Sequence, residues 1–394
     1  MTWPMVKLKN CCTIVGGATP RRDEKSFWDS PDIPWVTPKD ISNLKNKVIH
    51  DAPEYISQLG FDKSATFMLP EGSVLLTSRA PIGNLAVTGK PMCTNQGFKS
   101  LVPNPDVDCT YLYYCMLANI EKLQALGNGA TFKEVSKKVV EDFEIPLPPL
   151  DEQKRIAAIL DKADAIRQKR QQAIALADDF LRSVFLDMFG DPITNPKKWD
   201  MQPIGKLLQI KHGFAFKSEF FTSKGEYILM TPGNFFERGG YRNRQEKQNY
   251  YNGNIPDGYI LNAGNLLVAM TEQATGLLGS CLVVPDAGKF LHNQRLGLLK
   301  FNQDALTPEY LYYLFNNESV RQAIQVSATG TKVRHTSPNK IEEIMSIVPD
   351  IKTQVRFSEI VQFIAKVKNN LEPSESESKI LFNSLSQKAF SGQL

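Results

Sequence analysis

Residues 238–251 read Arg-Gly-Gly-Tyr-Arg-Asn-Arg-Gln-Glu-Lys-Gln-Asn-Tyr-Tyr, with cations, amides and aromatic rings interleaved. Arginine and lysine neutralise phosphates, arginine pairs with guanine edges, and asparagine or glutamine pairs bidentately with adenine. The chemistry on offer is recognition of nucleic acid, although a solvated loop has the same composition. Two further loops, 129–138 and 329–340, concentrate hydroxyls and cations at equivalent places in the two halves of the chain. Polar loops at 77–84, 94–97, 271–275 and 292–295 follow apolar strands, a common position for recognition loops on a rigid sheet. The candidate DNA contacts are Arg79, Asn95, Gln96, Lys133, Lys137 and Lys138 in the first half, and Arg238, Arg242, Arg244, Lys332, Arg334 and His335 in the second. Loops of this kind also serve carbohydrate and peptide binders, so spacing alone does not name the ligand.

Groups for catalysis are missing from the pattern. There is no G-x-x-x-x-G-K-[ST] phosphate loop, and Gly127-Asn-Gly129 and Gly239-Gly240 read as turns. His50, His212, His292 and His335 have no metal-ligand spacing among themselves or with the cysteines. A DNA methyltransferase would need an Asn/Asp-Pro-Pro-aromatic loop, but Pro148-Pro149 is followed by Leu150. Asp23-Glu24-Lys25 is similar to a nuclease metal-binding element, yet it lacks an upstream acidic partner and reads as a charged turn. We expect no catalytic residues, no metal and no cofactor.

The chain has 394 residues, 42% hydrophobic and 22% charged, with a net charge of +4. That length supports two or three cores, and the mild basicity permits an anionic partner without demanding one. Six cysteines without a C-x-x-C pair read as reduced thiols of a cytoplasmic protein, and no stretch approaches the length of a membrane span.

A repeat organises these loops. Gln153 and Gln354 lie about half a chain length apart, and the residues around them correspond: Gly129, Ser136, Ile156 and Leu160 answer Gly330, Ser337, Phe357 and Val361. Farther upstream Trp3, Ile14 and Gly17 answer Trp199, Ile210 and Gly213, Asn95-Gln96 answers Asn293-Gln294, and Tyr111-Leu-Tyr-Tyr answers Tyr310-Leu-Tyr-Tyr. The offset drifts by a short insertion in the second copy, as a surface loop tolerates. Short apolar runs near 73–77, 265–270 and 280–284 read as strands, and 110–126 and 308–327 as helices.

After each domain the apolar period becomes helical. Residues 151–189 form a rod of roughly 55 Å at 1.5 Å per residue, with Asp151 as its cap and Gly190-Asp-Pro as its stop. A second rod occupies 351–394, with a kink or local break expected at Pro373. The simplest burial of both stripes is an antiparallel pair, with the domains 1–150 and 190–350 held at its opposite ends. Gln153, Ile156, Leu160, Gln354, Phe357 and Val361 are the candidates for building this spacer and docking other subunits. The fold class is α+β: two small mixed α/β domains in pseudo-two-fold repeat, separated by two long helices forming an antiparallel coiled coil.

The run Ile145-Pro-Leu-Pro-Pro-Leu-Asp-Glu-Gln-Lys-Arg-Ile-Ala-Ala-Ile-Leu-Asp resembles the hallmark strand-to-helix junction of the specificity (S) subunit of Type I restriction-modification systems. The tryptophan-led starts, the Tyr-Leu-Tyr-Tyr helices and the duplication also match, while Ile347-Val-Pro-Asp-Ile-Lys-Thr-Gln departs by lacking the double proline and the glutamate. The resemblance implies two target recognition domains, each reading half of a bipartite sequence in double-stranded DNA. It also implies partnership with two methyltransferase (M) subunits and with endonuclease/translocase (R) subunits, which would own the catalysis. Because 238–251 has no good equivalent in the first half, the target should be asymmetric. Two alternatives stand beside this reading: a protein-binding scaffold with duplicated domains, and a catalytic DNA methyltransferase.

Overall fold

The computed structural model describes residues 3–44, 46–79, 81–129, 133–273, 276–286, 288–331 and 333–394, and for 371–380 the backbone alone. The chain divides into two compact units: unit 1 holds Met1–Gln171 with Glu372–Leu394, and unit 2 holds Gln172–Leu371. Each unit owns part of both long helices, Leu150–Phe189 and Ile351–Phe390.

Among the described residues, the main sheet of unit 1 has the strand order Cys12–Gly16, Lys99–Pro103, Val74–Leu76, Leu85–Thr88 and Val48–Ile49, antiparallel except for the last pair. Unit 2 repeats the first four as Leu208–His212, Leu296–Phe301, Leu266–Ala269 and Cys281–Val283, all antiparallel. Ile14 lies opposite Leu101 in unit 1, and Ile210 lies opposite Leu299 in unit 2. A second sheet stands in each unit, with three strands in unit 1 and five in unit 2.

One side of each main sheet is covered by a tyrosine helix, Cys109–Ala118 in unit 1 and Pro308–Phe315 in unit 2. Asp108 and Thr307 cap these helices by accepting the amides of Tyr111 and Tyr310. Tyr111 and Tyr310 are fully buried, and their hydroxyls donate to the carbonyls of Pro146 and Ile347 at 2.7 and 3.1 Å. A buried phenol without such a partner would carry a desolvation cost, so the pairing fixes the helix to the strand ahead of each rod.

Gln153 and Gln354 do the same work between rod and domain. The Gln153 carboxamide accepts the Asp108 amide at 2.9 Å and donates to the carbonyls of Asp106 and Pro148. Gln354 accepts the Thr307 amide at 3.0 Å and donates to those of Ala305 and Pro349. Ile156, Leu160 and Phe357 are also enclosed in their own unit's core, and Val361 packs against one. These six candidates therefore build the rod-to-domain anchor. Gln153, Ile156, Leu160, Gln354 and Phe357, with 1% exposure or less, offer no surface on which another subunit could dock.

Within unit 1, Arg155 meets the carbonyl of Leu394, and Arg167 lies over the ring of Phe382. Within unit 2, Asp178 pairs with Lys368 at 2.7 Å, and Phe185 and Phe189 pack on Phe357. In both units the residue numbers of the paired positions rise on one helix as they fall on the other, which is antiparallel packing. The first helix begins at Leu150, so Asp151 sits in its first turn, where its charge complements the helix dipole, and is not the cap. Gly190, with φ of 75°, ends it. The second helix is unbroken through Pro373. Its stripe is anchored before the proline by Phe357 and after it by Phe382, Leu385 and Phe390. Losing one hydrogen bond at about 3 kcal/mol costs less than uncovering either anchor.

Trp3 donates through Nε1 to the carbonyl of Ala389 at 3.0 Å, and Trp199 donates to that of Phe189 at 2.9 Å. The same tryptophan-to-helix bond joins neighbouring stretches of chain in unit 2 and distant ones in unit 1.

Candidate nucleic-acid interface

In unit 2 the arginine-rich segment is pinned by buried amides. Asn234, fully buried, accepts the amide and hydroxyl of Thr231 and donates to Gln248 at 3.0 Å and to the Arg242 carbonyl at 3.3 Å. Gln248, 3% exposed, also accepts the Arg244 amide at 3.3 Å. Breaking these bonds would strand polar groups at that depth, so they hold residues 242–248 in one conformation, even though Gln248 Nε2 finds no partner among the described residues. Gly233 lies beneath Arg244: a Cβ there would stand 3.2 Å from the guanidinium carbon. Glycine lets the arginine lie close over the backbone.

The result is an open cleft of about 750 Å³ whose walls include Arg238, Arg242, Arg244, Arg295, Asn249 and Gln273. The side chains of Arg242, Arg244 and Arg295 make no ion pair or hydrogen bond among the described residues. Glu272 also lines the cleft, but it is 2% exposed and accepts the amides of Gly276, Leu277 and Leu278 at 3.1, 2.9 and 2.8 Å. Its charge is answered inside the wall. Glu237 is exposed in the lining as well, but four arginines outnumber the two carboxylates, and an excess of cations in a concave, partly apolar setting concentrates an anionic ligand.

The remaining unit 2 candidates fall into different roles. Arg238 pairs with Asp179 at 3.4 Å on the surface. Arg334 pairs with the buried Glu272 at 3.4 Å and donates to the Gln325 carbonyl, so it serves the scaffold. His335 is exposed and meets the Thr329 hydroxyl at 3.2 Å. Lys332 lies outside the described residues.

In unit 1 strand pairing draws three separate loops together. The Ser78 amide donates to the Gly97 carbonyl at 2.7 Å, the Val135 amide donates to Ser78, and Arg79 bridges to Glu134. Asn95 is a turn builder, accepting the Gly97 amide at 2.8 Å, and Gln96 accepts the Thr19 hydroxyl. Lys137 pairs with Glu141 at 3.6 Å, whereas Lys133 and Lys138 are exposed without a partner among the described residues. Unit 2 uses the same convergence, with Thr271–Glu272 pairing with Arg334–His335.

Close backbone approach explains why two aligned glycines frame this region. A Cβ on Gly17 would sit 1.9 Å from the Asn95 carbonyl oxygen, and one on Gly213 would sit 2.0 Å from that of Asn293. Sequence reasoning named the loop 292–295 but passed over Arg295. Aligning Asn293-Gln294 with Asn95-Gln96 and reading one residue further would have found it, because Arg295 then falls opposite Gly97. The turn at Thr37-Pro-Lys-Asp, with its capping box, likewise corresponds to Thr231-Pro-Gly-Asn. It escaped notice because Asp40 and Asn234 differ in type.

Among the described residues no three His, Cys, Asp or Glu side chains are grouped to hold a metal ion, and no helix is long and apolar enough to cross a membrane.

A family model described as the Type I restriction modification DNA specificity domain matches residues 1–176 and again 196–380. The Type I restriction enzyme MjaIX specificity subunit of Methanocaldococcus jannaschii is 31% identical over 228 residues, 54% of this chain and 52% of that protein. The chain thus spans about half the length of that relative. The EcoKI specificity subunit of Escherichia coli K12 is 20% identical across 100% of this chain and 89% of its own length. In fold, the chain is similar to the S subunit of a Type I restriction-modification system from M. genitalium, with a TM-score of 0.56 at 14% identity over 99% of this chain and 96% of that one. A chain from a structural study of Type I system assembly gives the same TM-score at 17% identity, covering 100% and 98%. With one family-model match in each half, covering most of its sequence, the chain belongs to the Type I restriction-modification DNA specificity family.

Proposed function

We propose that this chain is the non-catalytic, sequence-reading subunit of a Type I restriction-modification complex in the cytoplasm. Each unit reads one half of an asymmetric bipartite target in double-stranded DNA. Two methyltransferase subunits and the endonuclease/translocase subunits dock on the chain and perform adenine methylation and cleavage. The observation that carries this reading is the cleft of unit 2, where Arg242 and Arg244 stand unpaired on a loop fixed by buried amides and Arg295 stands unpaired on the neighbouring turn. Phosphates and guanine edges match three guanidiniums without partners in one cleft, and the salt dependence of binding separates this reading from a protein-binding surface. In unit 1, Arg79, Lys133 and Lys138 offer the corresponding charge around the same convergence of loops.

Binding of the assembled complex to its target should weaken steeply with salt, because each phosphate neutralised releases counterions and adds about 0.9 to the slope of log affinity against log salt. Replacing Arg242 and Arg244 together with alanine should make that slope shallower by about 1 to 2 and lower target methylation. An unchanged slope with an unchanged methylation pattern would remove the cleft from the interface. Mapping methylated adenines tests the bipartite part: a continuous or strictly palindromic motif would overturn it.

A further inference from the structure

Gly97 in unit 1 and Arg295 in unit 2 occupy one turn built twice. In unit 1 the Gly97 amide donates to the Asn95 side chain at 2.8 Å, and the Gly97 carbonyl accepts the Ser78 amide. In unit 2 the Arg295 amide donates to the Asn293 side chain at 3.0 Å, and the Arg295 carbonyl accepts the Met270 amide at 3.0 Å. The backbone bonds, the aligned Asn-Gln pair and the glycine packed behind the turn are the same in both. What differs is a side chain that contributes nothing to the turn itself.

We infer that Arg295 is a specificity-determining residue that reads the major-groove edge of a guanine, so that the half-site of unit 2 holds a G·C pair which unit 1 cannot read from the same place. The inference rests on the DNA-reading function proposed above. Arg295 is exposed and lines both the 750 Å³ cleft and an adjoining cavity of about 280 Å³ that Phe216, Asn249 and Gln294 also line. Its backbone is held on both sides, by Asn293 and by Met270, so the guanidinium projects from a fixed point. A base reader needs that fixity, since two parallel N–H bonds to O6 and N7 must be aligned together. A phosphate contact needs charge alone, and Arg242 and Arg244 on the neighbouring loop already supply it. Because the Arg295 side chain bonds to nothing among the described residues, its removal leaves the turn's bonds in place.

The test uses the full chain assembled with its methyltransferase partner, comparing wild type, Arg295→Ala and Arg295→Lys. Genome-wide adenine methylation should relax at one G·C position in a single half-site, with the other half-site and the gap unchanged. In competition binding, discrimination at that position should fall by about 5- to 150-fold, the range of a good bidentate contact. Arg295→Lys should restore it only in part, since an ammonium can reach O6 and N7 but lacks the planar fork. Wild type should lose affinity when that guanine is replaced by 7-deazaguanine, and Arg295→Ala should not. An unchanged motif would overturn the inference. So would uniform weakening on all sequences with a shallower salt slope, which marks a phosphate contact. Relaxation at an A·T pair or in both half-sites would overturn it as well. If wild type shows no sequence preference at all, it is the underlying DNA reading that fails.

Discussion

In unit 1 the Gln153 side chain takes the Asp108 amide and two carbonyls; in unit 2 Gln354 takes the Thr307 amide and two carbonyls at matching positions. Around the turns at 95–97 and 293–295 the backbone bonds match equally well, yet unit 1 presents glycine and unit 2 presents arginine. Loop 238–251 has no counterpart in unit 1. The second sheet has three strands in unit 1 and five in unit 2. Bonds that are buried tolerate little change, because each unsatisfied amide costs about 1–3 kcal/mol, a sizeable fraction of a domain's margin. Exposed positions carry no such penalty. Divergence between the copies is therefore concentrated where a ligand would be met.

The comparison can be broken first at the cores. Phe357 packs its ring on Phe185, Phe189 and Tyr313, at centroid distances of 5.6, 5.4 and 5.2 Å, where unit 1 has the aliphatic Ile156. Phe357→Ala should cost about 3–5 kcal/mol. Hydrogen exchange read by mass spectrometry should show protection falling in residues 172–371 while the domain of unit 1 keeps its own. Equal loss in both would mean that the units are not separate folding bodies.

A somewhat smaller effect distinguishes the units by acidity. Unit 2 has the fully buried His292 where unit 1 has Thr94, and burial lowers the imidazole pKa to about 4. Its Nε2 carries the proton, donating to the Leu296 carbonyl at 2.9 Å, so the folded form is neutral. The unfolded chain takes up a proton near pH 6.5 and the folded unit only near pH 4, so stability is intact above 6.5 and falls across that window by about 3 kcal/mol. Thermal melts at pH 7 and pH 4.5 should show the acid loss in wild type and a reduced loss in His292→Gln. An identical pH dependence in both proteins would sink the assignment.

The smallest effect is also the one that should be equal on the two sides. Gln153→Ala and Gln354→Ala each remove the partner of one amide and two carbonyls, and because water can reach some of these groups the net cost should be about 1–3 kcal/mol. Local protection should fall by similar amounts, each in its own unit. A cost confined to one of them would show that the matching geometry conceals unequal anchors.

What could be read from the sequence follows the same division. The repeat, the rods and the tyrosine helices were legible because burial imposes a period, and the period survives in both copies. Gln153 and Gln354 stood out for the same reason, although their enclosure, and hence their unsuitability as docking contacts, became apparent only with their hydrogen bonds. The division among the arginines was not legible. Arg238 is answered by Asp179 and Arg334 by Glu272, residues far away in the chain, so no local pattern separates them from the unpaired Arg242 and Arg244. Arg295 was hidden by its neighbours: one cation after Asn293-Gln294 is unremarkable until its partner position proves to be Gly97.

The bond from Trp3 to Ala389 bears on the order in which the molecule is made. Unit 2 is one continuous stretch, so all of its residues exist once the ribosome has passed Leu371. Unit 1 begins first and waits longest, because Phe382, Leu385, Ala389 and Phe390 belong to its core. Until they emerge, Tyr111 lacks the ring of Phe390 beside it and Trp3 has no carbonyl to meet. At about 5–20 residues per second that wait exposes apolar surface for many seconds on a nascent chain. Of the two units, the one translated first is thus the last to be finished.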